Sequence, residues 1–202
     1  MSNDEALLEA WRGGDRRAGN ELFQRHFEPV RRFFVNKTDG DASELVQRTF
    51  LGCVAAQSRF EGRSSFRTFL FAIAHNVLRE HYRARSRSGR EDDVDELSIV
   101  DLGAGPSTVL HAQREQRALL LALRRIPLQF QVVLELYFWE QMTGGEIGEI
   151  LSIPEDTARS RIRRGKELLK SALEQVASSP EIAQSTAGDL DGWAAGVRGA
   201  ME

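Results

Sequence analysis

Six basic residues fall between Arg159 and Lys170, where Glu167 is the only acid. Arginine and lysine side chains on one helix bind the phosphates of nucleic acid, and arginine also donates to base edges. Between these cations, small and apolar residues recur at spacings of three and four, which predicts a helix that buries one stripe. The chemistry favoured by this pattern is non-covalent recognition of DNA.

The residues before this run predict a helix-turn-helix motif. Thr143 and Glu146 have the spacing of a capping box at the start of a short helix. The next four residues, Ser152 to Glu155, predict a turn and a second S-x-x-E helix start, with Pro154 in the first helical turn. Gly148 is small where the second helix must pass closely. The stripe expected to be buried in the second helix is Ala158, Ile162, Gly165 and Leu169.

The remaining faces of the second helix are polar and mostly basic. In a helix-turn-helix the first residues of this helix reach base edges, and the later cations meet phosphates. A solvated amphipathic helix is the alternative, but two capping sequences at this spacing favour DNA. The residues on these faces are Thr157, Arg159, Ser160, Arg161, Arg163, Arg164 and Lys166.

The net charge of −3 does not exclude DNA, because the acids are concentrated elsewhere. Residues 86–108 contain six acids and two bases, and residues 176–202 contain four acids and one base. Cys53 is the only cysteine, so we expect a reducing cytoplasm and no internal disulfide. A polar start and the lack of a long apolar run predict no signal peptide and no membrane anchor.

The sequence does not favour an enzyme. It has no Gly-rich phosphate loop, no nucleophile elbow and no His, Cys and Asp residues at metal-ligand spacing. We therefore expect no catalytic residues, no cofactor and no metal. His75 and His81 are interpreted as packed or surface side chains.

Helical periodicity predicts an all-α chain of two small domains. Residues 1–85 form a helical bundle, in which Pro29 marks a kink or a new helix start. Ser65 caps a helix from Phe66 to about Arg83. Residues 86–108 have the composition of a flexible acidic linker, residues 109–175 carry the helix-turn-helix, and residues 176–202 form an extension. The apolar positions expected to face inward in the bundle include Leu8, Trp11, Leu22, Phe23, Phe27, Phe33, Leu45, Phe50 and Val54.

Two segments resemble one protein family. QFQVVLELYFWEQMTGGEIGEILSIPEDTARSRIRRGKELLKSAL, residues 129–173, resembles region 4 of extracytoplasmic-function (ECF) sigma factors. DASELVQRTFLGCVAAQSRFEGRSSFRTFLFAIAHNVLREHYR, residues 41–83, is similar to their region 2. The resemblance implies a bacterial cytoplasmic factor that binds core RNA polymerase at its clamp and flap and opens promoter DNA. The alternative is a helix-turn-helix regulator that acts on duplex DNA without polymerase.

The resemblance also implies roles for individual residues. Region 4 would recognise the upstream (−35) element, and the positions that match the family's readers are Arg159, Ser160, Arg163 and Arg164. Thr157 and Lys166 lie on the same helix faces as these residues and are also candidates for binding the upstream element. Region 2 would hold an unstacked base of the downstream (−10) element, which requires cations and aromatic faces. The candidates are Arg59, Phe60, Arg63, Phe66, Arg67 and Asn76, whereas we expect Phe69 and at least one neighbouring Phe to be core residues.

The polymerase-binding segment of the family matches residues 41–50, where Asp41, Glu44 and Gln47 keep its pattern. Arg48 departs from that pattern, because the family usually has an acid there, and Ser43 also replaces an acid. One hypothesis is that core binding is weakened and that phosphorylation of Ser43 or Thr49 restores negative charge. Family drift with compensating contacts is the alternative.

Residues 176–202 continue past the usual end of the family. Leu190, Trp193 and Val197 form a short apolar stripe, but four glycines weaken an isolated helix. The segment is either a regulatory docking element or a disordered acidic tail. The resemblance further implies an anti-sigma factor or another regulator as partner, and a monomer when the protein is free.

Overall fold

The computed structural model describes residues 3–38, 42–85, 94–101 and 114–177, together with Gly188 and Gly192. The first half contains helices α1 (Asn3–Arg12), α2 (Arg16–Val35), α3 (Ser43–Ala56) and α4 (Phe66–Arg85). The second half contains helices α5 (Arg114–Leu123), α6 (Leu128–Phe138), α7 (Gly144–Leu151) and α8 (Glu155–Val176). Short 3-10 turns lie at Gln57–Arg59 and Val94–Glu96. The predicted all-α fold is confirmed.

Local capping explains where two of the long helices begin. Asp15 caps α2 by accepting the backbone N–H of Arg17 at 2.8 Å. The helix then continues through Pro29 to Val35, so a new helix start at Pro29 is a wrong prediction. Ser65 accepts the backbone N–H of Thr68 at 3.1 Å, which confirms it as the cap of α4.

The two halves share one apolar core. Helix α4 packs against α7 and also against α2 and α3. Leu70 and Leu78 of α4 belong to the same buried cluster as Val132 of α6 and Ile147 of α7. A second cluster, which includes Leu119, Leu123, Leu169 and Leu173, joins α5, α6 and α8. The halves are therefore in direct contact across a buried surface.

Part of the predicted linker belongs to this core. Ile99 is fully buried, and the backbone N–H of Leu128 donates to the carbonyl of Leu97 at 2.9 Å. Asp95 lies 3.1 Å from Arg79 of α4, so the segment contacts both halves. The prediction of a flexible linker is therefore corrected for residues 94–101, because an apolar residue within the acidic run is buried. Residues 86–93 and 102–108 lie outside the described parts of the chain.

Helix α8 ends at Val176, at the predicted boundary of the second half. The apolar stripe of the C-terminal extension lies outside the described residues. Within the parts of the chain described above, no helix combines the length and apolar character needed to cross a membrane.

Candidate nucleic-acid and polymerase interfaces

The helix-turn-helix begins with the predicted capping box. Thr143 accepts the backbone N–H of Glu146 at 3.2 Å, and the Glu146 carboxylate accepts the backbone N–H of Thr143 at 2.8 Å. Ser152 has a φ of +55°, and this left-handed residue ends α7. Pro154 precedes α8 at its cap position, without a side-chain hydrogen bond. The prediction that Ser152 caps the second helix is wrong, because Ser152 closes the first helix within a very short turn.

The close approach predicted at Gly148 is confirmed. A Cβ atom at this position would lie 2.8 Å from the carbonyl oxygen of Ile153, so a larger residue would push the turn away from α7. The predicted stripe of α8 is buried, with Ala158 and Ile162 in the shared core and Leu169 in the second cluster. These contacts direct the opposite faces of α8 towards solvent.

The outward faces of α8 carry most of the predicted DNA-binding residues. Ser160 and Arg163 are exposed, and the side chains of Arg159 and Arg164 are 68% and 61% exposed. Arg159 pairs with Glu155 at 2.5 Å, and Arg164 pairs with Glu167 at 2.8 Å. Exposed pairs within one helix are worth only about 0.3–0.5 kcal/mol, so a phosphate can replace the carboxylate. This surface is open.

Three predicted members of this set, among them Arg161, are half-buried rather than exposed. Thr157 is half-buried, and its carbonyl accepts the Ser160 hydroxyl at 2.9 Å. The Lys166 ammonium lies 4.8 Å from the ring centre of Tyr137 and 4.9 Å from that of Phe138. Its cation–π contacts with α6 give Lys166 a packing role in this structure.

The loop before α4 forms a cleft with a volume of about 370 Å³. Arg59, Phe60, Arg63 and Phe69 line this cleft together with Glu149 of α7. Phe60 is half-buried, with its ring centre 4.6 Å from that of Phe69. Arg59, Arg63 and Asn76 are exposed, as a role in DNA binding requires. The loop is fixed from α1, where Arg12 donates to the carbonyl of Gln57 at 2.8 Å.

Phe66 and Arg67 are placed differently from the other downstream candidates. Phe66 is only 2% exposed and lies in the core beside His26, so it has no face on which a base could stack. Its predicted stacking role is therefore wrong for this conformation. The expected packing is confirmed for the neighbouring Phe71, which is fully buried, but only in part for Phe69, which packs against the core and also lines the cleft. Arg67 is one-third exposed and donates to the Glu140 carboxylate at 2.8 Å.

Glu140 belongs to a buried ionic network between the halves. One of its carboxylate oxygens accepts Arg32 at 3.0 and 3.1 Å, and the other accepts Arg67. Lys37 and Glu135, both buried, form a second ion pair across the same boundary. Arg124 of the second half donates to the carbonyl of Asn36 at 2.9 Å. Sequence reasoning missed this network, although the charged Glu135 within the apolar sequence of α6 was a signal for it.

Burial shifts the pKa values of three groups at this boundary, Lys37, Glu135 and His75. Desolvation lowers the pKa of Lys37 and raises that of Glu135, while their mutual attraction opposes both shifts. His75 of α4 is 6% exposed. Desolvation, with help from the charges of Arg79, Lys37 and Arg161, lowers its pKa to about 4. The residue is therefore neutral near pH 7, as expected for a packed histidine.

The exposed face of α3 combines polar and apolar side chains. Glu44, Gln47, Leu51 and Val54 follow at helical spacing and are all exposed, with Leu51 at 60%. Phe27 of α2 is 45% exposed and stacks on Phe50 at the edge of this face. The prediction that Phe27 and Val54 point inward is wrong, because α2 and α3 bury their other sides. We call Phe27, Glu44, Gln47, Leu51 and Val54 the α3 face.

The predicted regulatory positions lie beside the α3 face. Arg48 pairs with Glu80 of α4 at 2.8 Å, so its charge is matched within the protein. Ser43 is exposed, but Thr49 is fully buried and its hydroxyl donates to the carbonyl of Leu45 at 2.8 Å. Thr49 is therefore inaccessible to a kinase in this conformation, and this part of the hypothesis is corrected. Asp41 lies outside the described residues.

Comparisons with known proteins agree with this arrangement. Residues 22–88 match the family model for sigma-70 region 2, and residues 116–169 match that for sigma-70 region 4. The chain is 25% identical over 182 residues to the ECF RNA polymerase sigma-E factors of Haemophilus influenzae and Escherichia coli K12. The aligned residues cover 86% of this chain and 96% and 95% of those relatives.

Two solved structures share the fold. CnrH in complex with the cytosolic domain of CnrY is 21% identical, with a TM-score of 0.63, over 85% of this chain and 97% of that chain. RpoE in complex with the anti-sigma factor NepR from Bartonella quintana is 20% identical, with a TM-score of 0.61, over 77% and 96% of the two chains. With both regions matched in order and relatives aligned over nearly their full length, the chain belongs to the ECF group of sigma-70 factors and is an alternative sigma factor that directs transcription initiation.

Proposed function

We propose that this sigma factor recognises the upstream promoter element with the outward faces of α8. The supporting observation is the set of exposed residues Arg159, Ser160, Arg163 and Arg164 directly after the turn of the helix-turn-helix. In this motif the first two turns of the second helix enter the major groove. In this proposal Arg159 and Arg163 read base edges, where arginine donates to guanine. Lys166 contributes through packing on α6, and Thr157 supports Ser160.

The downstream element binds, in this proposal, at the cleft before α4. Arg59 and Arg63 provide cations for the backbone, Phe60 and Phe69 provide aromatic walls, and Asn76 offers an exposed amide. Single-stranded DNA is held by this combination of positive charge and stacking surfaces. Arg67 can join the site only when its contact with Glu140 is broken.

Core RNA polymerase binds, in this proposal, to the α3 face. The exposed apolar residues Leu51 and Val54 lie on the same side of α3 as the exposed polar residues Glu44 and Gln47. An apolar centre with a polar rim is typical of protein interfaces. The pairing of Arg48 with Glu80 is a compensating contact within the chain, which favours family drift over a loss of polymerase binding.

The same proposal covers partners and location. CnrH and RpoE were captured with the cytosolic domain of CnrY and with an anti-sigma factor. We extend this kind of partner to the present chain, which would then act in the bacterial cytoplasm without catalysing a reaction itself. Ser43, exposed at the start of α3, is the remaining candidate for phosphorylation beside the α3 face.

Run-off transcription with bacterial core polymerase and a library of promoter fragments tests the proposal. We expect the wild-type protein to produce defined transcripts. Leu51→Glu should reduce polymerase binding by at least tenfold, because it places a charge in the apolar centre of the α3 face. Leu121→Glu is the matched control, since Leu121 is an exposed apolar residue of α5 away from this face. Sequence-specific binding to duplex DNA without any initiation would instead support the helix-turn-helix regulator.

A further inference from the structure

The loop before α4 has little packing of its own. None of residues 57–65 is buried, although this segment carries Arg59 and Phe60 of the cleft. We call residues 57–65 the cleft loop. Inside it, the backbone N–H of Phe60 donates to the carbonyl of Gln57 at 3.3 Å, and Gly62 has a left-handed φ of +71°. Because a segment with few buried contacts opens at a low free-energy cost, the conformation of the cleft loop depends on contacts from other elements.

Arg12, the last residue of α1, supplies such contacts. Its guanidinium donates to the Gln57 carbonyl from Nε at 3.1 Å and from Nη2 at 2.8 Å, and Nη2 also donates to the Phe60 carbonyl. Its Cζ atom lies 5.7 Å from the centre of the Phe60 ring, within the range of a cation–π contact. A cation is also favourable here because Gln57 directly follows the carboxyl end of α3. One side chain thus holds both the main chain and the ring of Phe60.

Helix α1 is itself held closely against α2. A Cβ atom at Gly19 would lie 2.7 Å from the indole ring of Trp11, so the two helices approach as closely as a glycine permits. Trp11 also meets Phe23 edge-on, with ring centres 5.1 Å apart. Near the other end of α1, the Asp4 carboxylate accepts a hydrogen bond from His26 at 2.7 Å. The side chain of Arg12 therefore extends from a fixed helix end to the cleft loop.

We propose that Arg12 is a positioning residue for the downstream promoter element, because it fixes Phe60 and Arg59 in the conformation that receives unpaired DNA. This inference rests on the proposed role of the cleft in binding that element. Nε and Nη2 of Arg12 are both engaged by the cleft loop, so the residue acts through Phe60 and not through a phosphate. Preorganised side chains bind more tightly, because the entropy of ordering them is not lost on binding. Loss of Arg12 should therefore weaken promoter opening and the choice of base together.

Run-off transcription with holoenzyme assembled from the full-length protein and core polymerase tests the proposal. The template is a promoter that wild type uses, with its downstream element randomised and each variant identified by a barcode in the transcribed region. Arg12→Ala should initiate at least tenfold less than wild type, with a weaker preference among bases at the position bound in the cleft. Arg16→Ala is the matched control, since Arg16 is an exposed arginine at the start of α2, and it should behave as wild type. A wild-type base preference in Arg12→Ala, or equal losses in the two variants, would overturn the proposal.

The salt dependence of binding separates positioning from a direct phosphate contact. Holoenzyme binding to a premelted promoter fragment is measured over a range of salt concentrations. Arg12→Ala should weaken binding with no change in the slope of log affinity against log salt, whereas loss of one phosphate contact on a single strand reduces the slope by about 0.7. Arg12→Lys keeps the charge but not the planar fork that reaches two carbonyls, so it should resemble Arg12→Ala. A reduced slope, or wild-type binding by Arg12→Lys, would contradict the proposal.

Two further measurements distinguish this inference from the proposed function. Arg12→Ala should keep its helix content and bind core polymerase as tightly as wild type, because Arg12 lies outside the α3 face. A loss of polymerase binding that accounts for the whole loss of transcription would overturn the positioning role. Phe60→Ala should lower initiation and base preference as Arg12→Ala does. If only Phe60→Ala is affected, the inference about Arg12 fails; if neither variant is affected, the proposed role of the cleft in binding the downstream element fails as well.

Discussion

Helices α8 and α4 both carry arginines that we propose contact promoter DNA, but the surroundings of these arginines differ. On α8, Arg159 and Arg164 are more than 60% exposed and pair only with acids of their own helix in the contacts seen here. On α4, Arg67 contacts Glu140 of the other half, and the neighbouring Phe66 is buried. The proposed upstream surface on α8 is therefore open in this structure, whereas the second half covers the part of the proposed downstream surface that contains Phe66 and Arg67. Whether an arginine can reach DNA therefore depends on which residues pack against it in the tertiary structure.

The largest expected effect is on stability, and it comes from removing one partner of the buried pair of Lys37 and Glu135 at the boundary between the halves. Glu135→Ala leaves the Lys37 ammonium without its carboxylate, so the free energy of unfolding should fall by about 3–5 kcal/mol. Urea unfolding followed by circular dichroism measures this loss. Glu167→Ala, at an exposed pair on α8, should cost less than about 1 kcal/mol. Replacing both buried partners, in Lys37→Met with Glu135→Leu, should recover most of the loss.

A pH titration tests the covered boundary at His75. The unfolded chain binds this proton near pH 6.5, whereas the folded protein binds it only near pH 4. Stability is therefore retained above about pH 6.5 and lost as the pH falls towards 4. Between pH 7 and pH 4, wild type should lose about 3 kcal/mol more unfolding free energy than His75→Gln. Parallel curves for the two proteins would show that His75 is accessible to protons in the folded state, and so contradict its burial at the boundary.

The open surface is tested by Arg163→Ala. Loss of a base contact should weaken specific promoter binding by about 1–3 kcal/mol and relax the sequence preference at one position. Fluorescence anisotropy with duplex promoter DNA measures both effects. Lys170→Ala is the control, because this exposed cation lies two turns further along α8. Equal losses in the two variants would mean that Arg163 contacts only phosphate.

The smallest effect is expected at the exposed pair of Arg48 and Glu80. Arg48→Ala should lower the free energy of unfolding by less than about 1 kcal/mol, because both side chains are more than one-third exposed. Core polymerase should bind Arg48→Ala and wild type with the same affinity, as the pairing with Glu80 implies. A clear gain in affinity for core polymerase in Arg48→Glu would instead support the hypothesis that Arg48 weakens polymerase binding. Pull-down titration with core polymerase decides between these outcomes.

The helices and the helix-turn-helix were predictable because their signals are local. Thr143 and Glu146 lie within one helical turn, and the buried stripe of α8 repeats every three or four residues. Ser152 was harder to predict, since a serine can begin one helix or end another, and the choice depends on the length of the turn. Phe27 was assigned inward because an apolar stripe does not show how wide a face the neighbouring helix covers.

The sequence by itself determined the two regions, their order and the cations of α8, because periodicity, capping and charge runs act over a few residues. The tertiary structure decided which of these groups are available. The pairing of Glu140 with Arg67 joins residues more than seventy positions apart, and that of Glu135 with Lys37 joins residues almost a hundred apart. Such contacts form only when one half packs on the other. The burial of Phe66 and the exposure of Leu51 follow from the same packing, since each helix buries the side that its neighbour covers.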